Sequence, residues 1–451
     1  MSEAVIRRIG KIKGLIQVPG DKSISHRVAL LSLLCTGQIE ARGFADGEDC
    51  AQSLAAVRAL GGTAETDGDI VRLTPPPGGI PSPLASIDCG NSGTTMRLLT
   101  GLLAGAGVTA GLIGDASLTR RPMLRIAEPL RQMNASVEVS PEGTAPIQIR
   151  PGNILPLDYT LPVASAQVKS ALLLAGLASG CQTVVREKVP TRDHTERLIK
   201  HFGGDLTIDD ITADIIPDPD DPRRKKRVLP TDRYKRSITL APRQSLSGAI
   251  VDIPGDISTA AFFIAAALMI RGSQLIIKQV GLNPTRLGFV NLLKVMDANI
   301  VIKNRTVRSG EPVGDIEVTY SQLKPRKISG ESVAGLIDEL PILAVLASGI
   351  QGTTIVRDAG ELRHKESDRI TAVVHNLRAM GVKVGEFPDG YAVEGCDELN
   401  GAEIDSFGDH RIAMAFAVAG AAAHGRTVIT GSEAVAVSCP RFLEMLEGLR
   451  S

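Results

Sequence analysis

"GDKSISHRVALLSLLCTG", Gly20–Gly37, joins a glycine, an acid, a lysine, two serines, a histidine and an arginine to an apolar run that closes on glycine. The stretch misses the Walker A spacing, because Asp21 separates Gly20 from Lys22. Lys and Ser at the start of a helix, with its free N–H groups, still suit an anion. Taken alone, the stretch reads equally well as a capped, solvated helix end. Its recurrence decides the matter. "GNSGTTMRLLTGLLAG" starts at Gly90, "ASAQVKSALLLAGLASG" at Ala164, "GDISTAAFFIAAALMIRG" at Gly255, "IDELPILAVLASGIQG" at Ile337 and "GDHRIAMAFAVAGAAAHG" at Gly408. Each copy is a polar signature, an apolar helix of about three turns and a Gly stop. Helices apolar nearly all round belong in an interior.

The segments after the copies also repeat: a short β-branched strand such as "TTIV" at Thr353, a charged loop, a second helix, then further strands such as "ANIVIK". Each unit of roughly 70 to 90 residues therefore reads β-α-β-α-β-β. The sixth unit stops early, and "GKIKGLIQV", Gly10–Val18, is the expected source of its missing strand. The expectation is two domains of three units, one from residues 1–20 plus 248–451 and one from 21–247, with a cleft between them. The chain would cross between them near Pro19–Asp21 and again near residues 244–255.

The totals narrow the function. Of 451 residues, 43% are apolar but only 3% aromatic, and Trp is absent, so the cores are aliphatic. Lys plus Arg and Asp plus Glu both total 50, which leaves no whole-protein field for nucleic acid or an anionic membrane. An anion site must be local. Cys35, Cys50, Cys89, Cys181, Cys396 and Cys439 are scattered, with no C-x-x-C pair, and suggest neither a zinc site nor a disulfide framework. No signal peptide or membrane span is evident, and the expected location is the cytoplasm. "PDPDDPRRKKRVLPTDRYKRS", Pro217–Ser237, is too short and too poor in aromatics for a nucleic-acid patch and reads as a solvated excursion.

If the six helix N-termini converge, their partial positive ends face one cleft. Plain caps would not need Lys22, Arg27, Arg97, Lys169 and Arg411 within a turn or two. Three loops add charge: "LTRRPMLR" with Arg120, Arg121 and Arg125; "PTRDHTER" with Arg192, Asp193 and His194; "ELRHKESDR" with Arg363, Lys365, Glu366, Asp368 and Arg369. Spacing i, i+4 would put Lys365 and Arg369 on one helix face. Internal salt bridges are the alternative for each loop taken singly; together with the helix ends they point to a pocket for polyanions. Asp338 opens a buried helix, either as its cap or as a base kept ionised by nearby cations, and Glu366 has the same prospect. His26, His194 and His410 lack metal-ligand spacing and read as capping or hydrogen-bonding residues.

"PGDKSISHR", "GNSGTTMRLL", "GDASLTRRPM", "SAQVKSALLLAGL", "TRDHTE", "GDISTAAF", "IDELPILAV", "KESDRI" and "DHRIAMAF", in order from Gly20 to about Phe442, closely resemble the 5-enolpyruvylshikimate-3-phosphate (EPSP) synthases, in a form nearer the bacterial class II variants. The resemblance implies an α/β fold of two domains, an inside-out α/β barrel with three β-α-β-α-β-β repeats in each. It implies transfer of the enolpyruvyl group of phosphoenolpyruvate to the 5-hydroxyl of shikimate 3-phosphate by addition and elimination, on the route to chorismate and aromatic amino acids. It implies no metal, no cofactor, no nucleic-acid or membrane partner, and a monomer.

Carried over by motif, Lys22, Ser23, Arg27, Ser165, Ala166, Gln167, Arg192, Asp338 and Lys365 would hold shikimate 3-phosphate. Lys22, Asn91, Gly93, Arg121, Gln167, Arg369 and Arg411 would frame phosphoenolpyruvate. Asp338 would take the 5-hydroxyl proton, with Glu366 and Lys22 serving the enol methylene. The sequence departs from the enteric form in places. Ala166 stands for a second Ser, with Lys169 the expected substitute donor. Val437 stands near an expected Lys, leaving phosphoenolpyruvate one charge short. Glu361 stands for an amide. Gly93 keeps room for the inhibitor glyphosate. UDP-N-acetylglucosamine enolpyruvyl transferase shares the architecture but would need a reactive loop Cys and no "DKSISHR"; a non-catalytic anion binder would gain nothing from Asp338 and Glu366.

Overall fold

The computed structural model describes residues 2–210, 214–218, 221–228 and 234–450. The six repeated helices are α1 (Lys22–Ser32), α2 (Gly93–Ala106), α3 (Ala166–Ser179), α4 (Ile257–Met269), α5 (Leu340–Ala347) and α6 (His410–Ala422). A side-chain oxygen caps five of them: Asp21 accepts from the Ile24 N–H, Ser92 from Thr95, Ser165 from Val168, Asp256 from Ser258 and Asp409 from Arg411. α5 differs. Its cap position is Glu339, without a capping bond, and Pro341 enters its first turn. The glycine stop is immediate only after α2 and α3, where Gly107 and Gly180 take left-handed φ of 67° and 69°. In the others it comes a few residues beyond the helix, as at Gly272 and Gly425.

Among the described residues, six open sheets of three or four strands surround these helices. In units two, three and five the sheet starts from the unit's own first strand, Ile87–Asp88, Leu157–Thr160 or Lys327–Ile328, which lies parallel to the next. Unit one takes that strand from Ile250–Asp252, parallel to Ile39–Arg42. Unit four takes it from Lys13–Ile16, parallel to Gln274–Gly281. The expectation for "GKIKGLIQV" is thus corrected. That stretch serves unit four, and the sixth sheet is closed by the earlier strand Glu3–Arg7, antiparallel to Arg426–Thr430 with Val5 opposite Val428. The Ile9 N–H, bonded to the Ala421 carbonyl at 2.7 Å, pins the segment between the two strands to the end of α6 and carries the chain on to unit four.

Buried apolar side chains fall into two clusters. One draws on residues between Ile24 and Ile253, the other on Ile9, Ile12, Val18 and residues between Ile257 and Leu449. The two crossings between them run side by side: the Asp21 N–H meets the Pro254 carbonyl at 2.8 Å, and the Asp256 N–H meets the Pro19 carbonyl at 2.9 Å. Gly20 serves close approach here, since a Cβ would lie 1.7 Å from the Gly43 carbonyl oxygen. In the charged stretch, Asp214–Asp218 and Asp221–Val228 pair as antiparallel strands. Residues 219–220 and 229–233 lie outside the described residues, and with them part of the solvated excursion read at Pro217–Ser237.

Helices buried on every side must approach one another closely. At Gly101 of α2 an added Cβ would stand 2.1 Å from the Ala171 carbonyl oxygen of α3, and at Gly105 2.3 Å from that of Ala175. Overpacking a close-packed interior costs about 1–3 kcal/mol. Gly101→Val should therefore lower stability by at least ~2 kcal/mol in urea unfolding, and a variant as stable as its parent contradicts this packing.

Candidate active site

The helix starts are joined by polar contacts. Arg27 of α1 donates to Ser170 of α3 at 2.9 Å and to Thr195 at 2.7 Å. Gln167 of α3 accepts from Arg97 of α2 at 2.7 Å and donates to Thr94 at 3.0 Å. Arg192 pairs with Asp338 before α5 and comes within 3.5 Å of the Ser23 hydroxyl. Arg411 of α6 donates to the Asp338 carbonyl at 2.9 Å. Ser258 of α4 donates to Glu339. The six amino ends thus border one region, walled by charge.

Asp338 is the focus. Besides Arg192, its carboxylate lies 3.6 Å from Arg369, 3.8 Å from Arg411 and 3.9 Å from Lys365. Burial alone would raise its pKa, but the cations outweigh burial and hold the carboxyl well below its ordinary value. Its side chain does not cap α5. Glu366 repeats the pattern: burial opposes ionisation, and Arg369 at 2.6 Å with Arg121 at 3.4 Å overcomes it, so this carboxyl too sits well below the usual range. Lys22 pairs with Asp49 at 2.8 Å, which offsets burial and raises its pKa. Lys365 moves the other way, because burial and the neighbouring Arg369 outweigh Asp338.

The expected phosphoenolpyruvate residues also meet. Arg121 donates to the Asn91 side-chain oxygen at 2.6 Å and faces Glu366. Gly93 sits beneath the guanidiniums of Arg121 and Arg97, each 3.2 Å from where a Cβ would be. Arg369 is anchored to Asp409 at 2.7 Å. Ser165 and Ala166, partly exposed, form the cap and first turn of α3.

Three expectations change. Lys365 and Arg369 do not share a helix face: Asp368 accepts from the Ile370 and Thr371 N–H groups, and the helix starts only at Arg369. The two meet instead through Asp338. Lys169 is no substitute phosphate donor. It is fully buried, 3.0 Å from Glu187 and 2.7 Å from Glu196. His410 is not a cap; Asp409 is, and neither ring nitrogen of His410 has a hydrogen-bond partner among the described residues. His26 and His194 do hydrogen-bond, to Ser53 at 2.8 Å and Glu311 at 2.7 Å. Arg125, a surface-pair candidate, makes a two-pronged contact with Glu361 at 2.7 and 3.2 Å.

Sequence reasoning missed Asp49 and the buried Arg286, which joins Asp21 at 3.1 Å to Asp256 at 3.2 Å. Neither sits in a repeated signature. Asp409 was findable, because its Gly-Asp pair matches Gly20–Asp21 and Gly255–Asp256.

A family profile for EPSP synthase (3-phosphoshikimate 1-carboxyvinyltransferase) matches residues 6–233 and 228–446. The chain belongs to this family. It is 42% identical over 454 residues to a 3-phosphoshikimate 1-carboxyvinyltransferase of Geobacter sp. (strain M21), covering 100% of this chain and 99% of that protein. It is 44% identical over 437 residues to that of Solibacter usitatus (strain Ellin6076), covering 97% of each. A solved EPSP synthase from Acinetobacter baumannii superposes with a TM-score of 0.82 at 36% identity, over 99% of this chain and 98% of that one. The fold is that of the two-domain enolpyruvyl transferases, helices inside and sheets outside.

Depressed carboxyl pKa values contribute stability that is complete above the ordinary values of 3.8 and 4.5 and lost as pH falls toward the native ones. Asp338→Asn, which removes the carboxylate that Arg192, Lys365, Arg369 and Arg411 share, should cost about 3 kcal/mol. The deficit should be equal at pH 7.5 and pH 5.5 in thermal melts. A deficit that fades between them places the Asp338 pKa there and contradicts the site.

Proposed function

We propose that this chain transfers the enolpyruvyl group of phosphoenolpyruvate to the 5-hydroxyl of shikimate 3-phosphate, releasing phosphate. The observation that carries the reading is a pair of carboxylates, Asp338 and Glu366, kept ionised inside a wall of cations drawn from both stretches of chain that build the two cores. Asp338 is the base for the 5-hydroxyl. In the free protein it is a weak one, because Arg192 and its neighbours stabilise the anion. A phosphate that takes Arg192 for itself removes one of those cations and raises the basicity of Asp338 as substrate arrives. At the enol methylene the Lys22 ammonium gives the proton and the ionised Glu366 carboxylate removes one in the elimination. Arg121, Arg369 and Arg411 stabilise the charge of the tetrahedral intermediate.

Ser23, Arg27, Ser165, Ala166, Gln167, Arg192 and Lys365 take shikimate 3-phosphate; Asn91, Gly93 and Gln167 complete the phosphoenolpyruvate side. The chain divides into residues 1–20 plus 248–451 and residues 21–247, which close on the substrates about the paired crossings and exclude water. It acts in the cytoplasm as a monomer. No described helix is long and apolar enough to cross a membrane.

The related UDP-sugar transferase reading needs a reactive thiolate. Cys89 does not fit it: the thiol is buried, and its pKa is pushed up to about 12 chiefly by that burial.

Phosphate release with both substrates is the direct test, and no turnover with shikimate 3-phosphate overturns the reading. Asp338→Ala should abolish turnover by a factor of about 10³ or more while shikimate 3-phosphate still binds. Glyphosate should compete with phosphoenolpyruvate. Gly93→Ala, whose methyl presses on Arg121 and Arg97, should raise the glyphosate inhibition constant more than the KM for phosphoenolpyruvate. A millimolar inhibition constant for the parent enzyme contradicts the assigned pocket.

A further inference from the structure

Beneath the Thr191–Arg192 turn lies a set of charges that the proposed chemistry does not use. Lys169, Glu187 and Glu196 are all completely buried. The Lys169 ammonium lies 3.0 Å from Glu187, 2.7 Å from Glu196 and 3.5 Å from the Thr191 carbonyl. One oxygen of Glu187 accepts the Thr191 N–H at 3.1 Å and also the Thr191 hydroxyl. Its other oxygen has no hydrogen-bond partner among the described residues. Burial pushes the Glu187 carboxyl up and Lys169 opposes that push. Buried charge is costly unless paired, and ordinary packing at the base of an aliphatic core does not require it. The contacts of the pair explain its presence. Both residues grip Thr191, and Arg192 is the next residue, projecting to Asp338 and toward Ser23. On the far side of Arg192, the turn is tied down by His194, bonded to Glu311 at 2.7 Å.

We propose that Lys169 and Glu187 are positioning residues for Arg192: by clamping Thr191 from below they set where its guanidinium meets the phosphate of shikimate 3-phosphate. The inference rests on the reading of Arg192 as a phosphate ligand. Lys169 thus serves the phosphate at one remove, as an anchor under the turn.

The test compares binding of shikimate 3-phosphate with binding of shikimate, which lacks the phosphate, by titration calorimetry on the full chain. Glu187→Ala should weaken shikimate 3-phosphate about tenfold, the loss of part of one charge-assisted contact, and leave shikimate within about twofold. Glu187→Gln, which keeps an oxygen for Thr191, should restore most of the affinity. If Glu187→Ala does not fold, Thr191→Val, which removes only the hydroxyl contact, should show the same phosphate-selective loss to a smaller extent. Equal losses for both ligands, or folded variants with unchanged affinity, overturn the positioning role. Arg192→Gln separates the premises: if it leaves the preference for shikimate 3-phosphate intact, the phosphate assignment of Arg192 itself fails.

Discussion

Asp338 shares one carboxylate among Arg192, Lys365, Arg369 and Arg411. Arg192 stands with the core built between Ile24 and Ile253, the other three with the second core. Arg121 and Glu366 make a second bridge of the same kind. Like charges crowded into a half-buried site repel, and burial alone disfavours every one of them. The carboxylates make the assembly tolerable in the absence of substrate. An entering phosphate or carboxylate can do the same work, so anion binding exchanges one set of partners for another rather than creating charge pairs from nothing.

This constraint explains the shape of the repeats. Helix ends can face a common cleft only if the helix bodies are buried, and burial on all sides demands aliphatic surfaces and small residues at the crossings. Gly101 and Gly105 against Ala171 and Ala175 meet that demand. Side-chain caps on five of the six helices satisfy N–H groups that would otherwise lie orphaned at the cleft. α5, which lacks one, is also the helix preceded by Asp338, whose side chain is committed to cations instead.

Much of this is legible in the residues. Six polar signatures before apolar runs mark the repeat, and the Arg and Lys content of the loops marks a polyanion pocket. The motif resemblance supplies the reaction, and the roles of the individual residues are proposed from it. Pairing is the part that stays hidden. Nothing local says that Lys13–Ile16 joins unit four while Glu3–Arg7 closes unit six, because both strands are short and half exposed. Lys169 reads as a substrate contact because Ala166 leaves a phosphate donor missing and Lys169 is the cation within a turn of it. Its partners, Glu187 and Glu196, come from a distant strand and helix, and only three-dimensional packing turns it inward. Asp368 ends the helix reading of Lys365: it caps three residues beyond that lysine, and the helix starts only at Arg369.

The central claim is that the Asp338 carboxylate is held anionic by cations that substrate then draws away. Carbon-13 NMR of aspartate-labelled protein, with the Asp338 signal assigned by its loss in Asp338→Asn, measures this directly. The account predicts a carboxyl that titrates below its ordinary 3.8 in the free protein and at higher pH once shikimate 3-phosphate is bound. An ordinary pKa in the free protein, or one that does not rise on binding, contradicts it.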